Sequence, residues 1–272
     1  NAKELLSLYP IRQSQRIKRM TMEKTGSGNQ PKDVWASGEA YEAYVGRWSR
    51  IVAHKFFAWL AAPPGGLWLD VGCGTGVLTQ TLLEVAAPQV VKGIDASEGF
   101  LTFVSKTITD KRATFQLGDA RALPVETAAF DAVVSGFMLN FVPQPDQVVA
   151  EMARAAKSGG LVAAYVWDYA AADLDQGRRF SLCNPGPLAD LFRDAGLTGI
   201  EVRPIDIWMV FKDFDDYWLP FLGGQGSAPS YLASLSGGDR SALRERIRAA
   251  LPFALDGSIP LLGRAWAVRG VR

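Results

Sequence analysis

Apolar residues beyond position 66 follow the rhythm of alternating strands and helices. Short apolar runs of strand length recur between longer stretches in which apolar residues return every three or four positions. Strands that alternate with helices pair in parallel, because each helical crossover returns the chain to the same edge of the sheet. We therefore predict an α/β fold with a doubly wound, seven-stranded, mostly parallel sheet. The predicted strands are Leu67–Val71, Val90–Ile94, Ala113–Leu117, Phe130–Ser135, Leu161–Trp167, Ile200–Phe211 and Leu261–Val268.

The chain before the first strand divides into two parts. From residue 34 onward, aromatic and apolar residues lead into a helical pattern at Ile51–Leu60, which Pro63–Gly66 ends. Residues 1–33 are basic and rich in small polar residues, so we predict a mobile tail there and one domain over residues 34–272. A nucleic-acid-binding arm is the alternative for the tail, and the lack of aromatic residues among its charges disfavours it.

Two later connections have patterns of their own. A helix begins at Pro145 and ends near Lys157, where Ser158–Gly160 offers a left-handed exit. Residues 213–257 are too long for a hairpin and contain an amphipathic stretch at Ser241–Leu251. We predict that they form a helical cap, inserted before the last strand.

Charge and cysteine content exclude several functional classes and cellular settings. The 29 basic residues nearly balance the 28 acidic ones, so the chain lacks the positive field that favours nucleic acid. Only Cys73 and Cys183 could form disulfides, which indicates a reducing, cytoplasmic setting. No stretch approaches the roughly 18 apolar residues of a spanning helix, and no apolar signal core opens the chain, so we expect a soluble protein.

The first predicted strand runs into three glycines at alternate positions, Gly72, Gly74 and Gly76. Glycines let a turn adopt positive φ and let a ligand approach the backbone, although a purely structural turn has the same pattern. In a dinucleotide-binding turn the third small residue falls where this chain has Val77. Asp70, just before the glycines, would repel a pyrophosphate and attract a cationic amino group. The spacing therefore favours a cofactor with a zwitterionic methionine moiety.

Two further acids follow the next predicted strands. Asp95 ends the second strand, about 20 residues beyond the glycines, where a carboxylate accepts the ribose hydroxyl hydrogens. Asp119 follows the third strand and could accept from the exocyclic amino group of adenine. Each acid alone has the alternative role of turn residue or helix cap. Three acids at consecutive strand ends favour a ligand site, because open α/β sheets bind ligands at that edge.

These motifs resemble, in order, those of class I S-adenosylmethionine-dependent methyltransferases. The matching segments are Leu69–Gly76, Gly93–Ser97, Gly118–Ala120 and Phe130–Asp131, and Tyr44–Arg50 resembles the lead-in helix of small-molecule (type 11) enzymes related to ubiquinone biosynthesis. The resemblance covers about residues 34–268 and implies a Rossmann-like methyltransferase fold with S-adenosyl-L-methionine as cofactor. It places Asp70 and the glycines at the methionine end, Asp95 at the ribose, and Asp119 with Ala120 at the adenine. The full predicted cofactor set is Tyr44, Arg50, Asp70, Gly72, Cys73, Gly74, Gly76, Asp95, Ala96, Asp119, Ala120 and Ser135.

Methyl transfer from a sulfonium needs mainly an acceptor held in line with the methyl group, so no catalytic residue or metal is assigned. Residues 135–141 lack the Asn or Asp, Pro, Pro, aromatic pattern typical of enzymes that methylate base amines, and we expect a small-molecule acceptor. Whether carbon, nitrogen or oxygen is methylated, and the oligomeric state, stay open. For Phe137 and Tyr169, the sequence favours a role in the hydrophobic core and a role in the wall of the acceptor pocket equally. The candidate acceptor-site residues are Phe137, Met138, Asn140, Tyr169 and Tyr217.

Two rival functions share part of this pattern. A non-catalytic module that binds S-adenosylmethionine or S-adenosylhomocysteine would have every cofactor motif. A nicotinamide-dependent oxidoreductase would need the dinucleotide turn, which Val77 and Asp70 oppose.

Overall fold

The computed structural model describes residues 41–61, 64–169, 180–223 and 227–272, without the side chains of residues 43, 44, 227 and 228. The predicted tail, residues 1–33, lies outside the described part. The division into a tail and one domain with a cap therefore stays a prediction.

Seven strands form one sheet, which confirms the predicted α/β class and strand number. Their order is β3-β2-β1-β4-β5-β7-β6. The first five strands pair in parallel, and β7 runs antiparallel between β5 and β6. The strands are β1 (Leu67–Val71), β2 (Val90–Asp95), β3 (Ala113–Leu117), β4 (Phe130–Gly136), β5 (Ala156–Trp167), β6 (Thr198–Phe211) and β7 (Ile259–Val271).

Helices connect the strands in the order that a doubly wound sheet requires. A π-helical turn at Glu42–Gly46 leads directly into the first α-helix, and short 3-10 turns lie at Leu139–Phe141, Ser181–Cys183 and Leu219–Gly223. The α-helices are α1 (Arg47–Leu60), α2 (Val77–Val85), α3 (Glu98–Thr107), α4 (Pro145–Ala155), α5 (Pro185–Asp194), α6 (Phe214–Trp218), α7 (Ser227–Ser234) and α8 (Gly237–Ala250).

The start of β5 corrects one prediction. Helix α4 ends at Ala155, and Ala156 is already extended with φ −71° and ψ 145°. The left-handed residue is Gly159, with φ 75°, inside a register shift where β5 pairs with β4. The predicted left-handed helix exit at Ser158–Gly160 is therefore wrong, because those residues form an irregular strand start that also pairs with Arg272.

The core has two halves, one on each face of the sheet. Side chains alternate along a strand, so Trp68 packs with α1 and α2 on one face while Leu69 packs with α4 and α5 on the other. Asp70 shares the face of Trp68, since it lies two residues further along β1. That face positions the candidate site, because α1 and α2 meet there above the end of β1.

The connection between β6 and β7 is helical in its described residues, as predicted. Strand β6 runs parallel to β5, because both are antiparallel to β7, so this connection begins at the carboxyl edge of the sheet. Asp216 in α6 accepts from Nη1 of Arg47 in α1 over 2.8 and 3.0 Å. The guanidinium of Arg47 also lies over the rings of Trp48 and Phe211, 4.4 and 5.0 Å from their centroids. The β6–β7 connection is thereby attached to the start of α1.

Candidate functional site at the ends of the first two strands

The turn after β1 has the backbone geometry that its glycines predict. Gly72, Gly74 and Gly76 have φ values of 72°, 52° and 85°, a region that L side chains rarely adopt. The amides of Gly72 and Cys73 both donate to the carbonyl of Ile94, over 2.8 and 3.1 Å. The turn is therefore fixed to the end of β2 before α2 begins.

The three glycines meet different surroundings. A Cβ at Gly72 would lie 2.6 Å from Cγ of Met138, and one at Gly76 would lie 2.4 Å from Cγ2 of Val104. A Cβ at Gly74 would meet no atom within 4 Å. Packing within the protein thus accounts for Gly72 and Gly76, as the structural alternative expected, whereas only Gly74 of the three faces open space that a ligand could use.

Asp70 is a buried carboxylate with one unsatisfied oxygen. Its residue is 1% exposed, and Thr79 in α2 donates to Oδ2 over 2.7 Å. Oδ1 is buried without a hydrogen-bond partner among the described residues. Burial raises the pKa of Asp70 to about 7, and the nearby charge of Asp95 also raises it. A ligand group that donates a hydrogen bond or carries positive charge would satisfy this oxygen.

Asp95 links the end of β2 to the glycine turn. Its Oδ2 accepts from the amide of Gly74 over 2.9 Å, and its Oδ1 accepts from the amide of Ser97 over 2.8 Å. Burial raises the pKa of Asp95, while these backbone hydrogen bonds lower it. Each carboxylate oxygen can accept more than one hydrogen bond, so both retain capacity for a ligand hydroxyl.

Asp119 lies at the same edge but is engaged by a neighbour. Its carboxylate forms an ion pair with Arg121 over 2.6 Å, and this pairing lowers the pKa of Asp119 to about 2. Arg121 also donates to Oε1 of Gln144 over 2.8 Å. An adenine amino group at this position would share the carboxylate with the guanidinium. Ala120 is half-buried beside it.

Glu42, which the sequence analysis missed, contacts the glycine turn. Its Oε1 accepts from the hydroxyl of Thr75 over 2.6 Å, and its Oε2 forms an ion pair with Arg50. Glu42, Gly46 and Arg50 lie four residues apart and share one helical face. That spacing of an acid, a glycine and a base is the signal that could have identified Glu42.

The remaining predicted cofactor residues have mixed surroundings. Ser135 is fully buried and donates from its hydroxyl to the carbonyl of Val71 over 2.8 Å, which fastens β4 to the end of β1. Cys73 is 5% exposed, and burial raises the pKa of its thiol well above the usual range. Ala96 is exposed next to Asp95, whereas the side chain of Tyr44 lies outside the described residues.

Two of the candidate acceptor-site residues lie next to the glycine turn. Met138 backs onto Gly72, as described above. Phe137 has φ 58°, and its ring stacks on Trp167 with centroids 4.2 Å apart and an interplanar angle of 7°. Phe137 also meets Tyr165 edge to face at 4.5 Å and is 7% exposed. The ring of Phe137 therefore belongs to the aromatic core, which was the alternative to a pocket wall.

The other three candidates lie in different surroundings. Asn140 donates from Nδ2 to the thiol of Cys183 over 3.4 Å, and its Oδ1 is buried without a partner among the described residues. Tyr169 is half-buried with its ring 5.3 Å from that of Phe180. Tyr217 is fully buried in α6. Their roles toward an acceptor stay predictions.

The described residues hold neither a metal-ion cluster nor a membrane-spanning helix. They contain no group of three or more His, Cys, Asp or Glu side chains placed to hold a metal ion. Within the same ranges, no helix combines the length and apolar character needed to cross a membrane.

Comparison with known proteins connects this geometry to a family. A family described as a methyltransferase domain matches residues 69–164. A demethylmenaquinone methyltransferase of Halalkalibacterium halodurans is 32% identical over 169 residues, which cover 50% of this chain and 69% of that protein. Another, of Roseiflexus castenholzii, is 38% identical over 105 residues, 38% of this chain and 44% of the relative, so the chain spans less than half of that relative.

A solved structure shows the same fold. The phosphoethanolamine N-methyltransferase 2 of Haemonchus contortus, crystallised with S-adenosyl-L-methionine, superposes with a TM-score of 0.57 at 20% identity. The superposition covers 86% of this chain and 56% of that one. The family match, over residues 69–164, includes the glycine turn and the three acids Asp70, Asp95 and Asp119. The chain belongs to the type 11 family of class I S-adenosylmethionine-dependent methyltransferases.

Proposed function

We propose that this protein transfers a methyl group from S-adenosyl-L-methionine to a small-molecule acceptor. The observation that carries the proposal is the buried Oδ1 of Asp70, which has no donor among the described residues. Asp70 interacts electrostatically with Asp95, and Asp95 binds the amide of Gly74, whose Cβ direction is open. A cationic ligand at this turn would satisfy the unpaired oxygen.

Each part of the cofactor has a candidate partner among these residues. The ammonium of its methionine moiety would donate to Asp70, since a buried carboxylate gains most from a charged donor. Its ribose hydroxyls would donate to Asp95, and its adenosyl group would pass over Gly74 without meeting a side chain. The adenine end would lie toward Asp119 and Ala120.

The chemistry needs little from the protein beyond position and exclusion of water. When bound, the cofactor supplies an electrophilic methyl group on a sulfonium that leaves readily. The protein would need to hold the acceptor in line with that methyl group. The carboxylate of Asp70 would stabilise positive charge in the cofactor, and Asp95 would position the ribose. No residue is assigned as a general base.

A small acceptor is supported by the family rather than by a defined pocket. The relatives described above are named for demethylmenaquinone, a small molecule, and the near balance of charges in this chain does not favour nucleic acid. We include Asn140 in the proposed site for the methyl-accepting molecule, because its buried Oδ1 can accept one hydrogen bond from that molecule. A cytoplasmic setting stays a prediction from composition.

The test combines binding with turnover. Calorimetry would measure the affinity of the purified protein for S-adenosylmethionine, S-adenosylhomocysteine and NAD, and methyl-labelled cofactor would be incubated with a pool of small aromatic and quinone-like acceptors. We expect both adenosyl ligands to bind, NAD not to bind, and label to appear in an extracted small molecule. Asp70→Asn should weaken binding, because a neutral amide replaces the carboxylate that attracts the ammonium.

A matched variant controls for charge removal alone. Asp256 is an exposed acid whose carboxylate accepts from the amide and hydroxyl of Ser258, so Asp256→Asn should leave binding and transfer unchanged. Tight binding without transfer to any acceptor would support the non-catalytic module instead. Preferential binding of NAD, or no binding of either adenosyl ligand, would overturn the proposed function.

A further inference from the structure

The ion pair between Glu42 and Arg50 borders the glycine turn. Glu42 comes from the π-helical turn before α1, and Arg50 lies in the first part of α1. The hydroxyl of Thr75, between Gly74 and Gly76, donates to Glu42 over 2.6 Å. An acidic and a basic side chain are thus held together where the methionine end of the cofactor is proposed to lie.

The two partners of this pair differ in how firmly they are held. The Glu42 side chain is 18% exposed, whereas the Arg50 side chain is 52% exposed. Glu42 also folds back over Gly46, where a Cβ would lie 2.4 Å from its carboxylate. Thr75 and the bare backbone of Gly46 therefore fix Glu42, while Arg50 can turn through solvent.

The local helix geometry supports a functional origin for this arrangement. Single π-helical turns are rare in proteins as a whole. Those that do occur are frequently found at functional sites. Here Glu42 is the first residue of the π-helical turn, and its carboxylate contacts Thr75. An acid required only for solubility would not need a glycine beneath it.

Charge complementarity identifies what the pair recognises. The amino-acid end of S-adenosylmethionine carries an ammonium and a carboxylate on one carbon. We propose that Glu42 and Arg50 form a receptor for this zwitterion, in which Glu42 accepts from the ammonium and Arg50 turns from Glu42 to the carboxylate. The inference rests on the proposed function and adds Glu42 as a binding residue beside Asp70.

The exchange of partners is energetically inexpensive. A half-exposed ion pair contributes little net stability, because solvent competes for both charges. A guanidinium binds a carboxylate through two parallel hydrogen bonds. The hydrogen bonds that Arg50 forms with the ligand carboxylate therefore replace those it loses to Glu42. Ligands with the complete amino-acid end should therefore gain affinity from both residues.

Two ligands isolate that end of the cofactor. S-adenosylhomocysteine has the adenosyl thioether with the amino acid, and 5′-methylthioadenosine has the adenosyl thioether without it. Calorimetry would measure both affinities for the wild type, Glu42→Gln and Arg50→Gln, with thermal unfolding to verify folding. We expect each variant to weaken S-adenosylhomocysteine binding about tenfold and to leave methylthioadenosine binding within about twofold.

Glu84→Gln provides the matched control, because Glu84 is an exposed acid on α2 that accepts from Gln80. It should alter neither affinity. Equal weakening of both ligands by Glu42→Gln would assign Glu42 a structural role in the turn, and unchanged binding of S-adenosylhomocysteine would remove it from the site; either result overturns the inference alone. A wild-type protein that binds neither ligand would overturn the proposed function, and the inference with it.

Discussion

The carboxylate of Asp95 accepts the amide hydrogen of Gly74 over 2.9 Å, so the residue that ends β2 also holds the turn that follows β1. One acid thereby fixes the backbone that would face the cofactor and presents oxygens to its ribose. Stability of the turn and affinity for the cofactor are expected to depend on the same side chain.

Replacement of Asp95 tests this dual dependence. Asp95→Ala should weaken S-adenosylhomocysteine binding by about 1.5 to 3 kcal/mol, because charge-assisted hydrogen bonds are lost. Asp95→Asn keeps one acceptor oxygen and should have a smaller effect. Calorimetry on folded protein measures both, with Asp256→Ala as a control that should change nothing. An unchanged affinity in Asp95→Ala would remove this residue from the site.

The buried carboxyl of Asp70 should make stability depend on pH. Burial raises the pKa of Asp70 from 3.8 to about 7, so between these values the folded protein retains a proton that the unfolded chain releases. The contribution of this group to stability is therefore fully present below pH 3.8 and is lost as pH rises to about 7. Asp70→Asn cannot titrate there and should remove this part of the slope.

Urea unfolding of ligand-free protein at several values between pH 5 and 8 measures the effect of Asp70. We expect the wild type to lose stability relative to Asp70→Asn as pH rises, whereas Asp256→Asn should follow the wild type. Parallel pH profiles for the wild type and Asp70→Asn would contradict the raised pKa of Asp70.

Alanine substitutions at Gly72 and Gly74 distinguish a glycine required for packing from a glycine required for ligand access. In Gly72→Ala the added methyl group would press on Met138, and this overpacking costs about 1 to 3 kcal/mol of stability in addition to about 1 kcal/mol for the left-handed backbone. In Gly74→Ala the methyl group would enter open space, so the cost is about 1 kcal/mol for the left-handed backbone. Gly74→Ala should instead weaken cofactor binding more than its loss of stability explains. Thermal unfolding and calorimetry on both variants measure the difference, and equal losses of affinity would contradict it.

Local patterns were sufficient to predict the elements that build the site. Strand β1 and the glycine turn after it follow the predicted bounds, because an apolar run and three glycines each act within a few residues. The family resemblance is confirmed by the comparisons. The edge positions of Asp70 and Asp95 followed from the rule that parallel strands end together.

Side-chain partners were not predictable in the same way. Glu42 reaches Thr75 across 33 positions of sequence, and the acid, glycine and base spacing around Glu42 does not identify Thr75 as its partner. The ring of Phe137 is buried through its stacking on Trp167, which depends on the pairing of β4 with β5. The start of β5 was predicted too late, because the glycines after α4 indicate a helix exit but serve a shift in strand register. Such features depend on tertiary contacts between distant segments.

The position of β7 between β5 and β6 constrains the order in which the sheet can be completed. During synthesis β6 emerges before its described neighbour, and the helices of the β6–β7 connection follow. Until β7 is made, the backbone amides and carbonyls of β6 lack their strand partner, and apolar residues such as Met209 and Phe211 lack part of their cover. Strand β7 pairs with both β5 and β6, so β6 joins the sheet only once β7 is made and this edge is completed late in synthesis.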